Sequence, residues 1–178
     1  RMGSTRLPGK IMKDLGGKPL LSRMIERLKT AKKPDEIVIA TTNLTEDDQI
    51  VELCKKENCA FFRGSVDDLL DRHYECAKKF NAKVISKIPS DVPLIDPLVV
   101  DMMFSFFENN NFDFVSNLHP PSFPDGFDVE IFSFNVLKDA WKNSTKDFER
   151  EHTTPYIWEN PQKFTIGNVL MPGGNNLS

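Results

Sequence analysis

A regular alternation of short apolar runs and amphipathic segments is the feature that most constrains the fold of this chain. Residues 36–42 (EIVIATT) form a β-branched run that predicts a buried strand, and Thr45, followed by three acids, predicts the start of a helix that ends near Glu57. The pattern then repeats, with strands predicted at 60–63, 83–88 and 112–116 and helices that begin at Ser65 and Pro97. This order predicts an α/β fold, a three-layer αβα sandwich whose central sheet is mainly parallel.

The alternation changes after Asn117. Residues 119–126 (HPPSFPDG) predict a loop, residues 127–134 alternate as an antiparallel strand does, and residues 149–158 predict a helix. We therefore expect a single domain over residues 1–178, with a small lobe at 118–160 that is added to the sheet. Such a lobe serves either as a substrate lid or as a dimer contact.

The first ten residues (RMGSTRLPGK) combine cations with residues that prevent a regular helix. A glycine-containing loop brings backbone N–H groups close to phosphate oxygens, and nearby cations neutralise the phosphate charge. A solvated basic arm is the alternative interpretation. A P-loop is excluded, because five residues separate Gly3 from Gly9 and Ile11 follows Lys10 where a hydroxyl residue is required.

Composition limits the partners of this loop. The formal net charge of −3 argues against a general nucleic-acid-binding protein and favours a small anionic ligand. No apolar run approaches the roughly 20 residues of a membrane span. The three cysteines, Cys54, Cys59 and Cys76, have no compact pairing and predict free thiols in a cytoplasmic protein.

Asp91 is the acidic residue with the clearest predicted role. It follows the strand at 83–88 and enters a turn that contains Pro93, so its carboxylate is expected at the carboxyl edge of the sheet, where ligands of such folds bind. Opposite a phosphate-binding loop, this carboxylate is suited to hold Mg²⁺. An aspartate that only closes its own turn is the alternative.

Other polar residues are weaker candidates. Asp128 and Glu130 share one face of their strand, which lines either the cleft or solvent. Arg63, Ser65, Asp71 and Arg72 surround the end of the strand at 60–63, where local pairing is the alternative to a site. His152 lies in a charged helical segment, and it is either structural or part of the site.

Several segments, taken together, resemble the cytidylyltransferases of the spore-coat-polysaccharide type, which are related to the enzymes that activate 3-deoxy-manno-octulosonate and acylneuraminate. The resemblance rests on the opening RMGSTRLPGK with the GGKPL turn at 16–20, and on DEIVIATT, FRGSVDDLLDR, SDVPLIDP, DGFDVEIFS and REHTTPY. It covers nearly the whole chain in order.

The resemblance implies a nucleotide-diphosphosugar-transferase-like fold and a reaction that transfers CMP from CTP to an acidic or modified sugar, with release of pyrophosphate, for surface polysaccharide biosynthesis. It implies Mg²⁺ as cofactor, with Asp91 as ligand, and a homodimer. By position, the CTP-binding residues are Arg1, Gly3, Ser4, Thr5, Arg6, Lys10, Arg63 and Ser65. Arg6 and Lys10 stabilise the transition state, and the sugar contacts are Asp71, Arg72, Asp128, Glu130 and His152.

This sequence also departs from the family pattern. Pro89 and Ser90 stand where Thr and Gly usually precede the magnesium aspartate. The family's strand before Arg1, and a later aspartate that supplies a second magnesium ligand, have no counterpart in these 178 residues. A similar fold that uses another nucleotide, as a nucleotidyltransferase or a glycosyltransferase, and a non-catalytic nucleotide-binding module therefore stay open as alternatives.

Overall fold

A computed structural model describes residues 1–3, 7–171 and 173 of the chain. Within these residues the strands are β1 Val38–Thr42, β2 Ala60–Gly64, β3 Val84–Lys87, β4 Phe114–Ser116, β5 Glu130–Ser133 and β6 Ile166–Asn168. The α-helices are α1 Leu20–Leu28, α2 Asp48–Lys56, α3 Leu69–Lys79, α4 Pro97–Asn109, α5 Phe134–Asn143, α6 Asp147–His152 and α7 Pro155–Trp158. Short 3-10 helices span Lys10–Met12 and Thr45–Asp47.

The strands form two groups. β1 and β2 pair in parallel, while the other group has the order β3-β5-β4-β6. β4 and β6 pair in parallel, and β5 runs antiparallel to both of its neighbours. The predicted antiparallel strand is thus confirmed, but it lies in the middle of its sheet. This part of the segment predicted as an added lobe therefore belongs to the central layer.

Helices cover both faces of the strands, as the three-layer prediction requires. On β4 and β5, Val115 and Ile131 pack against α1 and α4, whereas the adjacent Phe114 and Phe132 pack against α3, α5 and α7. The alternation of side chains along each strand sends neighbouring residues to opposite faces. A third apolar cluster joins α1 and α2 to the β1–β2 pair through Leu21, Ile25, Ile50 and Leu53.

A cleft of about 980 Å³ separates the two groups of strands, and residues of β1 and β3 line its two sides. From β1 the chain passes through α2 to β2 on one side of the cleft, and β3 begins the group on the other side. The strand order therefore reverses at this cleft. In open α/β sheets, such a switch point is where the carboxyl ends of the strands create a ligand-binding crevice.

Local structure differs from the sequence prediction in several places, including the strand β6, which was not predicted. The prediction did not include α1 and α5, which pack their apolar stripes into the cores described above. The helix predicted to start at Ser65 begins after Asp68, whose side chain accepts the N–H of Asp71 as the N-cap. The single helix predicted at 149–158 is interrupted at Thr153, which has φ 74°.

Candidate functional site

The N-terminal segment is fastened to the carboxyl end of β1 by Asp47, which is fully buried. Its Oδ1 accepts the N–H of Met2 at 2.7 Å, and its Oδ2 accepts the hydroxyls of Thr41 and Thr42 and the N–H of Thr42. Burial alone would raise the pKa of this carboxyl, but these hydrogen bonds outweigh it and hold the pKa below its usual value. Asp47 is therefore an ionised anchor for the first residues of the chain.

Gly9 turns the segment back towards the core. Its N–H donates to the carbonyl of Met2 at 3.0 Å, and its φ of 66° lies in the left-handed region that favours glycine. The 3-10 helix Lys10–Met12 follows and buries Ile11 between α1 and α2. The loop is thus held at Met2 and at Ile11, and Lys10 projects between these two attachments.

Lys10 forms an ion pair with Asp91, through Nζ and Oδ2. The side chains remain 32% and 38% exposed, so the pair lies at the open mouth of the cleft. The loop after β3 that carries Asp91 is fixed by Arg27 of α1, whose Nε donates to the carbonyl of Ile95 at 2.8 Å. The predicted phosphate-binding cation and the predicted magnesium carboxylate are therefore brought together.

Two arginines add positive charge to the cleft lining. Arg1 donates from Nη1 to the carbonyl of Val66, and Arg72 of α3 donates from Nη1 to the carbonyl of Ser65. Arg72 is only 6% exposed, and its buried Nε has no hydrogen-bond partner among the described residues. Burial and the nearby charge of Arg1 lower its pKa. The lining thus contains a buried guanidinium with an unused donor, which is an arrangement suited to an anion.

Gly64, at the end of β2, makes room for Arg72. A Cβ atom at this position would lie 3.0 Å from Cγ of Arg72 and 2.7 Å from the ring of Phe62. Any side chain there would displace the arginine from the edge of β2. The glycine of the FRGS segment therefore serves to position Arg72.

A buried ion pair forms the next part of the site. Lys87, at the end of β3, contacts Oε2 of Glu130, and Oε1 of Glu130 accepts the hydroxyl of Thr154 at 2.7 Å. Glu130 is 3% exposed, whereas Lys87 reaches the cleft lining. Burial, with repulsion from Asp125, Glu130 and Asp91, raises the pKa of the neighbouring Asp128. Asp128 thus lies close enough to Asp91 for the charge of Asp91 to affect its pKa.

His152 reaches the cleft from the end of α6. The next residue, Thr153, has φ 74° and ψ −53°, and the N–H of Thr154 donates to the carbonyl of His152 at 3.0 Å. This is a γ-turn with a positive φ at its centre, a strained conformation for a β-branched residue. Oγ1 of Thr153 lies 3.1 Å from Nδ1 of His73, and Nδ1 also lies 2.8 Å from the carbonyl of Leu69.

The environment of His73 keeps it neutral. Burial lowers its pKa to about 4, and the positive charges of Lys87 and Arg72 contribute in the same direction. The strained turn is therefore held from both sides, since Thr153 contacts the neutral His73 and Thr154 contacts Glu130. Strain of this kind is retained where the surrounding structure holds a residue in place.

Three predicted site residues are occupied by protein contacts away from the cleft lining. Arg63 donates to the carbonyls of Thr42 and Leu44 and pairs with Asp48. Ser65 accepts the N–H of Asp68, and Asp71 accepts Nε1–H of Trp141. Their contacts with nucleotide or sugar stay predictions, and such contacts would have to compete with these bonds.

Of the remaining predicted residues, Gly3 lies in the cleft lining. Ser4, Thr5 and Arg6 lie outside the described residues. The sequence prediction also missed Asp47, Lys87 and His73. The doublet Thr41-Thr42 before an acidic residue was a usable signal for Asp47, because two adjacent hydroxyls at a strand end can satisfy a buried carboxylate.

Within the described residues, no three His, Cys, Asp or Glu side chains are grouped as a preformed metal cage. No helix within these same residues has the length and apolar character needed to cross a bilayer. The cleft lining instead includes the cations Arg1, Lys10, Arg72 and Lys87 together with the carboxylate of Asp91, which contacts Lys10. Such a site can bind and neutralise a polyanionic small molecule.

Comparison with known proteins agrees with this geometry. The chain is 42% identical over 166 residues to an uncharacterized protein of Methanocaldococcus jannaschii, which covers 93% of this chain and 67% of that protein. It is 32% identical over 177 residues to the spore coat polysaccharide biosynthesis protein SpsF of Bacillus subtilis, covering 97% of this chain and 72% of that protein.

Among solved structures, a cytidylyltransferase from Leptospira borgpetersenii superposes with a TM-score of 0.93 at 37% identity, over 98% of this chain and 74% of the other. This similarity confirms the predicted α/β fold. The cytidylyltransferase family model matches residues 1–172, which is nearly the whole sequence. The chain therefore belongs to the cytidylyltransferase family.

Proposed function

We propose that this protein transfers CMP from CTP to a sugar, with release of pyrophosphate. The observation that carries the proposal is the contact between Lys10 and Asp91, which joins the basic N-terminal loop to the loop after β3 at the switch point of the sheet. A cation for phosphate oxygens and a carboxylate for a metal ion are both required at one point in nucleotidyl transfer. Family membership supports CTP as the donor.

In the proposed reaction, a sugar hydroxyl attacks the α-phosphorus of CTP and loses its proton. A bond forms between the sugar oxygen and this phosphorus, while the bond to the oxygen that bridges the α- and β-phosphates breaks. Negative charge grows on the non-bridging and leaving oxygens, so cations placed beside them stabilise the transition state. Lys10 takes this role together with Arg6, and Arg1 and Arg72 neutralise the remaining phosphate charge.

The donor set at the mouth fits Mg²⁺ in a site that the substrate completes. Mg²⁺ is commonly held by one or two carboxylates together with substrate phosphates, and Asp91 supplies one exposed carboxylate. Magnesium bound there would withdraw electron density from the phosphoryl group and neutralise its charge. Lys10 would then exchange its contact with Asp91 for phosphate oxygens, so the pair seen here keeps both side chains near their working positions.

The acceptor would lie towards β5 and α6. Lys87 and His152 reach the cleft there, Asp128 is nearby, and Glu130 holds Lys87 in place. A cation held in this manner favours an acidic or otherwise polar modified sugar. The similarity to SpsF, a spore coat polysaccharide biosynthesis protein, supports a role in surface polysaccharide biosynthesis.

The cellular setting is part of the same proposal. We infer that the protein is cytoplasmic and forms a homodimer. The free, buried thiols of Cys54, Cys59 and Cys76 support a reducing compartment such as the cytoplasm. Light scattering of the purified chain tests the dimer, and a mass that corresponds to one chain at micromolar concentration would contradict it.

Pyrophosphate release with each of the four nucleoside triphosphates, Mg²⁺ and a panel of acidic sugars tests the proposed reaction. Release with CTP alone, and only in the presence of an acceptor sugar, is the expected result. Release with UTP or GTP in its place would support a related transferase with another nucleotide. Binding of CTP without release under any acceptor would support a non-catalytic nucleotide-binding module.

A further inference from the structure

The end of α2 brings two cysteines into contact. Asn58, the second residue after the helix, has φ 48°, and its N–H donates to the carbonyl of Lys55 at 3.2 Å. The N–H of Cys59 donates to the carbonyl of Cys54 at 2.9 Å. Two such bonds around a left-handed residue are a Schellman motif, in which the side chains at the two ends pack together. The backbone therefore holds Cys54 against Cys59.

Hydrogen bonds link the two thiols. The thiol of Cys54 donates to Sγ of Cys59, and the thiol of Cys59 donates in turn to the carbonyl of Ile37 at 3.5 Å. Both cysteines are free; Cys54 is fully buried, whereas Cys59 is 8% exposed. The two sulfur atoms are thus in direct contact, and Cys59 is the one nearer to solvent.

α3 ends in the same motif without thiols. Asn81, with φ 52°, takes the left-handed position, and the N–H of Ala82 donates to the carbonyl of Ala77 at 2.9 Å. Two methyl groups are therefore sufficient to close this motif in the same chain. The sulfur atoms of Cys54 and Cys59 add a reactivity that the turn itself does not require.

The surroundings make Cys59 the more reactive of the two. The hydrogen bond from Cys54 lowers the pKa of Cys59 despite burial, and the ammonium group of Lys29 acts in the same direction. The carboxylates of Glu36 and Glu57 oppose this shift without reversing it. The same hydrogen bond, together with burial, raises the pKa of Cys54. Because the thiolate is the reactive form of cysteine, Cys59 is suited to react first with an oxidant.

We propose that Cys54 and Cys59 form a reversible intramolecular disulfide on exposure to hydrogen peroxide. In the first step, one peroxide oxygen bonds to Sγ of Cys59, the O–O bond breaks and water leaves, which gives a sulfenic acid. Sγ of Cys54 then attacks the sulfur of Cys59, and the S–O bond breaks as the hydroxyl group leaves with the thiol proton as a second water. The two thiols lose two electrons, and the peroxide that accepts them becomes two waters.

The disulfide would join the end of α2 to the residue before β2, at the amino end of that strand. Lys10 and Asp91 lie at the carboxyl end of the sheet, so the proposed catalytic groups are left unchanged. Closure by Cys54 also removes the sulfenic acid before more peroxide converts it to the irreversible sulfinic and sulfonic acids. The pair would therefore protect the protein from permanent oxidation.

Peroxide treatment of the folded wild-type chain tests the proposal. We expect the free thiols to fall from three to one. The intact mass should fall by about 2 Da, the mass of two hydrogens. Trypsin cleaves after Lys55 and Lys56, so the disulfide appears as two linked peptides. A dithiol reductant should restore every thiol by exchange.

Three variants identify the partners. Cys76→Ala should lose two thiols as the wild type does, and Cys59→Ala should form no intramolecular disulfide. Cys54→Ala, which fills the motif as Ala77 does in α3, should instead gain about 32 Da at Cys59, because no second thiol removes the sulfenic acid.

Two results would overturn the proposal. One is a gain of oxygen at Cys59 of the wild type, or a disulfide that includes Cys76, in place of the expected linked peptides. The other is a folded wild-type chain that keeps its three thiols under conditions in which the urea-unfolded chain is oxidised. None of these readouts depends on catalytic activity.

Discussion

The N–H of Met2 donates a 2.7 Å hydrogen bond to Oδ1 of Asp47, and Oδ2 of the same carboxylate accepts three further hydrogen bonds from Thr41 and Thr42. One buried charge therefore holds both the first residues of the chain and the end of β1. The arrangement makes the position of the basic loop depend on the ionised state of Asp47.

Substitution Asp47→Asn should lower the free energy of unfolding by about 2 kcal/mol, since one oxygen becomes an amide that cannot accept these bonds. The matching fall in melting temperature is about 5 °C. Asp48→Asn is the control, because Asp48 is exposed and pairs with Arg63 at the surface. That pair is worth less than about 1 kcal/mol. Equal losses in urea titrations of the two variants would contradict the anchoring role.

The same carboxyl sets a pH dependence. The pKa of Asp47 is lower in the folded protein than its ordinary value, so its stabilising effect is present above the unfolded pKa of about 4 and is lost as the pH falls through the folded pKa. The difference in stability between the wild type and Asp47→Asn should therefore be constant from pH 5 to 7 and shrink below about pH 4. A difference that grows on acidification would be the wrong sign.

His73 provides a second titration at higher pH. Its folded pKa of about 4 lies below the unfolded value of about 6.5, so the unfolded state takes up a proton first. Stability is fully present above about pH 6.5 and falls by up to about 3 kcal/mol as the pH drops to 4. His73→Gln should remove this loss, whereas His152→Gln at the exposed end of α6 should retain it. Thermal melts at half-unit pH steps give the comparison.

The buried pair of Lys87 and Glu130 should show strong coupling. Glu130→Gln leaves the charge of Lys87 uncompensated and should cost about 3 kcal/mol. Lys87→Met should cost a similar amount, but the double variant should lose much less than the sum of the two. A double-mutant cycle by denaturant unfolding measures this directly. Additive losses would show that the two side chains do not stabilise each other.

The backbone strain at Thr153 can be tested by comparing the stability of two variants with small side chains at this position. Thr153→Ala and Thr153→Gly both lose the contact of the hydroxyl with His73, but only glycine adopts φ 74° without cost. The glycine variant should therefore be more stable than the alanine variant by about 1 kcal/mol, the reverse of the usual order for these residues. Greater stability of the alanine variant would show that the turn relaxes out of this conformation.

The sequence predicted much of the fold because most of its elements depend on local pattern. Residues 36–42 and 60–63 became β1 and β2 with small shifts of boundary, since β-branched runs bounded by polar residues have few other uses. The segment LLSRMIERL after Pro19 was also readable, because its apolar residues recur at helical spacing and form the buried face of α1. The break at Thr153 could not be predicted from local pattern, because it depends on the contact of Thr153 with His73, 80 residues away, and on that of Thr154 with Glu130, 24 residues away.

In the candidate site, too, local sequence patterns allowed prediction and distant contacts did not. Lys10 and Asp91 could be predicted as partners, because a basic loop and a strand-end acid meet at the carboxyl edge of a sheet. Arg63 and Asp71 have the same residue types as binding groups, yet the structure engages them with Asp48 and Trp141. Residue type alone does not reveal which polar side chains already form hydrogen bonds or ion pairs with a neighbouring loop or helix.

The most direct test of the proposed reaction measures CTP-dependent pyrophosphate release by Lys10→Ala and Asp91→Asn, with Lys33→Ala as the control. Lys33 forms a comparable exposed ion pair with Glu108 and also lines the cleft. We expect the Lys10 and Asp91 variants to lose about 100-fold or more in kcat/KM, which is the usual effect of removing one group that stabilises the transition state. Their free energies of unfolding should stay within about 1 kcal/mol of the wild type. The Lys33 variant should retain full activity. Wild-type turnover in either the Lys10 or the Asp91 variant would contradict the assignment of the catalytic centre to this pair.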